Sequence, residues 1–502
     1  MEKQQFDYFR LSPAIILLWG VFSVAFLPVI PIASGFGWDG VFYGQVTMDF
    51  PNMIGHMDSY HSGRIFPGVL LHYVLVLLKM PLTVKSALVS YQVFDIVVLT
   101  FSAFMWVKIS KHLALPAAVK WFGFVALFIN FPVLRFYYYY PSLTDITTFC
   151  IGIVMLYAYL KANWVLLFAV SLISFFAWPT EIIIGLILYV YANTGNDFWL
   201  KGGHTIRQFL LILLLLSPLL IVILGFANYD SMVYWAVGHG HGGEKYREVI
   251  KTEKIQYYNI AAFVCSLIAV GYLIFIYWYI LKRFDFWGFV KASLTPKIVS
   301  RTLVALVFLL TLIVCKHFLY DPQLRTVTFA MYASVAVELS CRFPAQFLIS
   351  YIVYWGPVIL ILLLFFPDVV RFLKRAHFPL LLGLLFTFLF NVNAEGRPIT
   401  NFYPFIVFIL IEAVDFSKIR HWRLFMALFV FASLVFSKIW MPMPLPATTF
   451  PTVIMKGLDR FPMQWYFMNF GPWINGQMYL VHSIAALVFG VLFYLIIKEK
   501  KL

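Results

Sequence analysis

The chain has 502 residues, 62% apolar, 20% aromatic and only 12% charged. A soluble globular protein carries about 25% charged residues, so a soluble domain, a disordered chain, a nucleic-acid binder and a disulfide scaffold are excluded. The net charge of +15 marks orientation rather than an anionic partner, because Lys and Arg collect in the cytoplasmic loops of membrane proteins. The cysteines at 150, 265, 315 and 341 are widely spaced and form no metal motif.

A helix needs roughly 18–20 apolar residues to cross the ~30 Å hydrocarbon layer. Candidate runs fall at 13–34, 86–107, 119–136, 146–160, 164–178, 180–193, 205–226, 260–281, 299–317, 346–366, 377–393, 401–414, 423–440 and 477–497. They predict an all-α polytopic membrane protein of about 12–14 transmembrane helices, forming one transmembrane domain over 1–502. The first run is too long for a signal peptide and lacks a small-residue cleavage site. One further apolar run, 65–80, decides the topology. If it does not span, Lys3, Arg10, Lys108, Lys111, Arg371, Lys374 and the tail Lys498, Lys500 and Lys501 all fall on the cytoplasmic side. The run is therefore read as an amphipathic or re-entrant helix within the first outer loop, with both termini cytoplasmic. The outer face then carries the long loops at 35–85, 227–259, 318–345 and 441–476, where a membrane enzyme or receptor places its chemistry.

Asp39 follows the first span in Gly37-Trp38-Asp39-Gly40. A carboxylate there can act as a general base, bind a cation or cap a helix. The run Tyr137 to Asp145 ends the third span on the same side and reads equally well as an aromatic belt before a helix start. A late outer loop holds Glu395-Gly396-Arg397-Pro398, whose plainest reading is a polar turn with an ion pair. His56, Asp58, His61 and Arg64 crowd the first loop; they suit a sugar or a metal, and ligand spacing alone is a weak metal signal. His239 and His241 lie among glycines in a loop able to order over a substrate or merely connect two spans. Lys316, His317, Arg325 and Arg342 are cations for a phosphate, or side chains snorkelling from helix ends. Asp95, Glu181 and Glu412 lie within or at the ends of apolar runs, where ionisable groups mark function or helix-to-helix hydrogen bonds.

Taken jointly, Asp39 after the first span, Asp145 in the next outer segment and Glu395-x-Arg397 before Tyr403-Pro404 resemble the GT-C superfamily of polytopic membrane glycosyltransferases, which use lipid-phosphate-linked sugars. The resemblance covers the whole chain as architecture and these short segments as motif. It implies that Asp39 is the catalytic carboxylate, Asp145 the second acid, and Glu395 and Arg397 the late Glu-x-Arg segment. The first loop lacks a paired Asp-x-Asp or Glu-x-Asp, so a metal-chelating site is not expected, nor any other cofactor.

The implied activity is inverting transfer of a sugar from a polyprenyl-phosphate donor to a glycan or lipid-linked acceptor hydroxyl. Asp39 would take the acceptor proton and Arg397 would hold the donor phosphate, because a guanidinium grips phosphate oxygens in pairs. Glu395, Arg64, His61, Lys316, Arg342, His239 and His241 are the further candidate substrate contacts. The rival is a transporter or flippase of lipid-linked sugars, which would place its charges at the bilayer midplane. A polysaccharide polymerase or ligase is the third reading. None of the asparagines begins an Asn-x-Ser/Thr triplet, which points to a bacterial plasma membrane with the site facing outward.

Overall fold

The structure is a computed structural model that describes residues 7–30, 32–192, 260–281, 286–324, 343–373, 378–390, 396–441, 474 and 476–498. Its helices are, in chain order, α1 (Ser12–Phe26), α2 (Gly40–Asp49), α3 (Phe66–Leu77), α4 (Val84–His112), α5 (Ala117–Phe128), the short α6 (Tyr137–Tyr139), α7 (Asp145–Leu160), α8 (Trp164–Ser174) and α9 (Glu181–Val190). Beyond them come α10 (Ile260–Leu281), α11 (Phe286–Ser293), α12 (Pro296–His317), α13 (Gln346–Trp355), α14 (Val358–Leu364), α15 (Phe366–Leu373) and α16 (Phe378–Phe390). The last three are α17 (Tyr403–Ala413), α18 (Trp422–Phe436) and α19 (Gly476–Lys498). Among the described residues there is no β-strand, only an isolated parallel bridge between Met57 and Tyr320.

Four stretches are long and apolar enough to cross a bilayer: Tyr8–Phe26, Val84–His112, Pro296–His317 and Met478–Ile497. A fifth span exists if the bent pair Ala117–Phe128 and Pro132–Tyr139 is counted as one. The exposed faces of these helices are apolar; on α12 they include Leu303, Val307, Leu310 and Val314, the surface expected against lipid rather than water. The described residues are thus all-helical, with four or five stretches long and apolar enough to cross a membrane. Most remaining apolar runs form helices of 10 to 16 residues, such as α7 and α9. Even the longest of these reaches only about 24 Å at ~1.5 Å per residue.

The shortening has local causes. The run expected at 119–136 bends by 54° between α5 and the Pro132–Tyr139 segment. Asn130 makes the break. Its amide donates to the carbonyls of Leu127 (2.9 Å) and Ala126 (3.2 Å), its side-chain oxygen accepts from Val133 N–H (3.1 Å), and Pro132 has no N–H to offer. The run expected at 346–366 is split where Gly356 takes φ +72° before Pro357. The first span stops at Phe26, just ahead of Pro28. The run at 65–80 forms α3, a helix of 12 residues that spans about 18 Å, packed on α2 and α4. The candidate span at 205–226 lies outside the described residues.

Helix α4 is the central post. Thr83 caps its start by accepting the Ser86 N–H at 3.3 Å, and Lys111 and His112 sit in its last turn, where the helix dipole favours positive charge. It packs on α1, α3 and α7. A second layer forms where α17 lies against α5, α7 and α15, with Phe122, Phe416, Phe425 and Phe429 interlocked. An ion pair between Asp7 and Lys120 (3.2 Å) ties the first turn to α5; half-exposed as it is, it contributes at most about 1 kcal/mol.

Candidate functional site

Asp39 stands at the start of α2 but makes no side-chain cap hydrogen bond. Its carboxylate instead accepts from the Tyr60 hydroxyl (3.4 Å, Oδ2) and lies 3.8 Å from His61 Nε2 through Oδ1. Close packing fixes this turn. Gly37 has φ +71°, and the Tyr140 ring occupies the space a Cβ there would need; Gly40 is pressed in the same way against Ser142. Ser142 donates to the Phe36 carbonyl (2.8 Å), and Gly40 N–H donates to the Tyr140 hydroxyl (3.2 Å). Tyr140 and Ser142 are therefore the floor of the Asp39 turn, and the side chains of Tyr137 to Tyr140 are all buried.

The second component of the site is the 3-10 turn His61–Arg64. Asp58 Oδ1 caps it, accepting from the N–H groups of Tyr60 (2.9 Å) and His61 (2.8 Å), while Oδ2 pairs with His61 Nδ1 at 2.7 Å. The His61 ring stacks on Phe42 with centroids 4.0 Å apart. The Arg64 guanidinium lies between the rings of Tyr60 (4.1 Å) and Trp178 (3.8 Å) and donates to the Tyr60 hydroxyl at 2.7 Å. Arg64, Tyr60 and Asp39 thus form a hydrogen-bonded series ending on one carboxylate oxygen, while His61 faces the other. Lys316, at the end of α12, lies 3.1 Å from the position a Cβ on Gly63 would take. The segment after α12 is pinned to this loop by Asp321 N–H to Met57 O (2.8 Å) and Gly55 N–H to Leu319 O (3.1 Å).

The third component is Arg397, on the short turn Arg397–Ile399, whose Nε and Nη2 grip both oxygens of Asp145 at 2.8 and 2.9 Å. The Asp145 side chain is completely buried. It does not lie open at the mouth of a span as the second acid was expected to; its visible work is to hold Arg397. The turn is anchored from both sides: Trp355 Nε1–H donates to the Gly396 carbonyl (3.0 Å), Trp355 stacks on Tyr403 at 3.7 Å, and Tyr403 donates to the Ala126 carbonyl (2.7 Å). Gly152 on α7 lies directly under the Asn401 carbonyl. Gly152→Ala is therefore expected to lower stability by about 1–3 kcal/mol, since the obstructing atom is backbone and must move with the turn; thermal unfolding of the purified variant measures it.

Burial disfavours charge on Asp39, yet His61, then Arg397 and Arg64, outweigh it and hold the carboxyl down at about 2. The same contest, won by His61, keeps Asp58 below the usual carboxylate range. Burial also works against a charged His61, and Asp39 followed by Asp58 reverses it, raising the imidazole above its ordinary value. Burial raises the Tyr43 and Tyr60 hydroxyls, so both remain neutral.

The structure thus gathers six residues that the sequence singles out: Asp39, His61, Arg64, Asp145, Lys316 and Arg397. Glu395, Arg342, His239 and His241 lie outside the described residues. Tyr60, Phe42, Trp178 and Tyr140 were not singled out. Tyr60 precedes Arg64 by one helical turn, a spacing that marks a side-chain pair; Phe42 and Trp178 are single aromatics in an aromatic-rich chain, and Tyr140 is one of four consecutive tyrosines that the sequence does not tell apart. Among the described residues no group of three His, Cys, Asp or Glu side chains is placed to hold a metal. No family model, no curated protein and no solved structure matches the chain. Chemically, the arrangement offers an ionised, 32% exposed carboxylate among fixed cations, able to receive a hydroxyl proton beside an anionic group.

Proposed function

We propose that the chain is an inverting glycosyltransferase of GT-C type that moves a sugar from a polyprenyl-phosphate donor to an acceptor hydroxyl at the outer face of a bacterial plasma membrane. The observation that carries this reading is the partly exposed Asp39 carboxylate held beside His61 and under the charges of Arg64 and Arg397. The remaining apolar helices would complete a GT-C-like set of spans around it.

In the reaction, the acceptor oxygen forms a bond to the anomeric carbon while the bond from that carbon to the phosphate oxygen breaks. The acceptor proton passes to Asp39, and the electron pair leaves with polyprenyl phosphate. A carboxylate with so low an affinity for protons acts late, once the attacking hydroxyl has become acidic through bond formation. Arg397, made rigid by Asp145, and the cations Arg64 and Lys316 would stabilise the phosphate charge as it grows. Donor binding adds negative charge beside Asp39, which strengthens it as a base only when the donor is present.

Turnover of the purified protein with a panel of radiolabelled polyprenyl-phosphate sugars tests the proposal. Transfer, or slow hydrolysis of the donor, is expected. No binding and no turnover across sugars and lipid lengths would overturn it. One observation supports the rival, transport: the buried carboxylates of Asp95 and Glu181 have no hydrogen-bond partner among the described residues, as a site that exchanges a cation or proton requires. In that event Asp95→Asn and Glu181→Gln are the variants to assay in vesicles, with loss of flux as the expected result.

A further inference from the structure

We propose that His61 is a positioning residue: an imidazolium clamped between Asp58 and Asp39 that keeps the Asp39 carboxylate charged and oriented for its role as base. The inference rests on the transferase reading for that role; the clamp itself stands on geometry.

Asp58 Oδ2 takes Nδ1 at 2.7 Å, Phe42 stacks on the ring at 4.0 Å, and together they aim Nε2 at Asp39. Nε2 is buried, has no hydrogen-bond partner, and lies 3.8 Å from Asp39 Oδ1. A neutral ring fixed by Asp58 through Nδ1–H would turn its Nε2 lone pair toward a carboxylate, a repulsive contact. A doubly protonated ring presents N–H to both acids, which is the arrangement the distances fit. The charged groups around the clamp are Asp58 and Arg64 on its own loop, Lys316 at the end of α12, and Arg397, whose charge reaches Asp39; the neutral hydroxyls nearby are those of Tyr43, Tyr60 and Tyr140. Asp39 and Asp58 are the groups that favour a proton on His61. An anionic donor arriving beside Asp39 would repel its carboxylate, and the imidazolium is the counter-charge already in place.

Two measurements test this on the full chain. The first is the pH profile of sugar transfer. Wild type should lose activity on the alkaline side as His61 gives up its proton. Asp58→Asn keeps the backbone cap but not the charge, and should move that limb down by about one pH unit. His61→Gln should remove the limb and lower neutral-pH turnover about tenfold. The same alkaline limb in His61→Gln as in wild type would overturn the positioning role.

The second needs no activity: the thermal midpoint of wild type minus His61→Gln against pH. His61 is raised in the folded state, so its stabilising contribution is complete below the unfolded value near ~6.5 and is lost as pH rises through the folded value. The gap should therefore be widest below the ordinary imidazole value of ~6.5 and narrow as pH rises above it. A gap that does not change with pH would overturn the clamp. If His61→Gln does not accumulate, Asp58→Asn carries the same comparison, with a smaller gap in the same direction. A gap that closes on schedule in a protein that transfers no sugar would keep the clamp and overturn the transferase reading.

Discussion

Asp39→Asn should lower the rate of sugar transfer by roughly 10²–10⁴-fold, the range associated with removing a general base, while leaving the fold intact. The two halves of this expectation come from the same contacts. The carboxylate accepts one long hydrogen bond from Tyr60, at 3.4 Å, and faces His61 at 3.8 Å without a hydrogen bond, so the amide removes little direct bonding. The position of the turn depends instead on Gly37, Gly40, Tyr140 and Ser142, none of which the substitution touches. Loss of the charge that His61 and the arginines favour should lower stability by about 1–3 kcal/mol at neutral pH, without displacing the turn. Single-turnover transfer measured beside thermal unfolding gives both numbers. A variant that keeps more than a tenth of wild-type turnover would remove Asp39 from the role of base.

Asp145→Ala should have the larger structural effect. The Asp145 side chain has no exposed surface and that of Arg397 keeps 10% of its own, so removing the acid takes the bidentate carboxylate from a guanidinium in a site that water barely reaches. Breaking such a pair from one side costs about 3–5 kcal/mol, a large share of the ~5–15 kcal/mol that holds a typical fold. Removing both charges together, as in Asp145→Leu with Arg397→Met, should recover part of the loss, because some of the cost lies in a buried charge deprived of its bidentate acid rather than in the missing attraction. Denaturant titration of the single and double variants in detergent measures the coupling. If the single variant falls within about 1 kcal/mol of wild type, the pair does not hold the Arg397 turn. Activity should be lost in both variants, since the double change also deletes the cation beside Asp39.

The membrane-embedded, helical character of the chain was legible from composition, because an apolar content of 62% leaves no other home for it. The lengths of the spans were not. An apolar run shows where lipid is tolerated but not where the backbone bends, and bending here depends on side chains such as Asn130 bonding their own main chain. Asp39 was recognisable by its place after the first span, although its neighbours left the helix cap open as a reading until the carboxylate was seen turned toward His61. The pairing of Arg397 with Asp145 could not be read, because nothing local links residues 252 apart. Nor could the seat of Arg64 between Tyr60 and Trp178: with aromatics at 20% of the chain, composition does not mark which ring will meet which cation.

The distance in sequence between Asp145 and Arg397 also governs how the protein is made. A ribosome adding about 5–20 residues per second needs roughly 10–50 s to cover the separation, which is 252 positions. Through that interval the acid has entered the nascent protein without its counter-ion. Helix α7 therefore waits half-finished for the Arg397 turn and α17, and Gly152 has no carbonyl to pack against until Asn401 emerges. Translation stalled before residue 397 would leave a chain with an orphaned acid at its heart, a natural mark for membrane quality control. The pair, once made, joins the start of α7 to the turn ahead of α17.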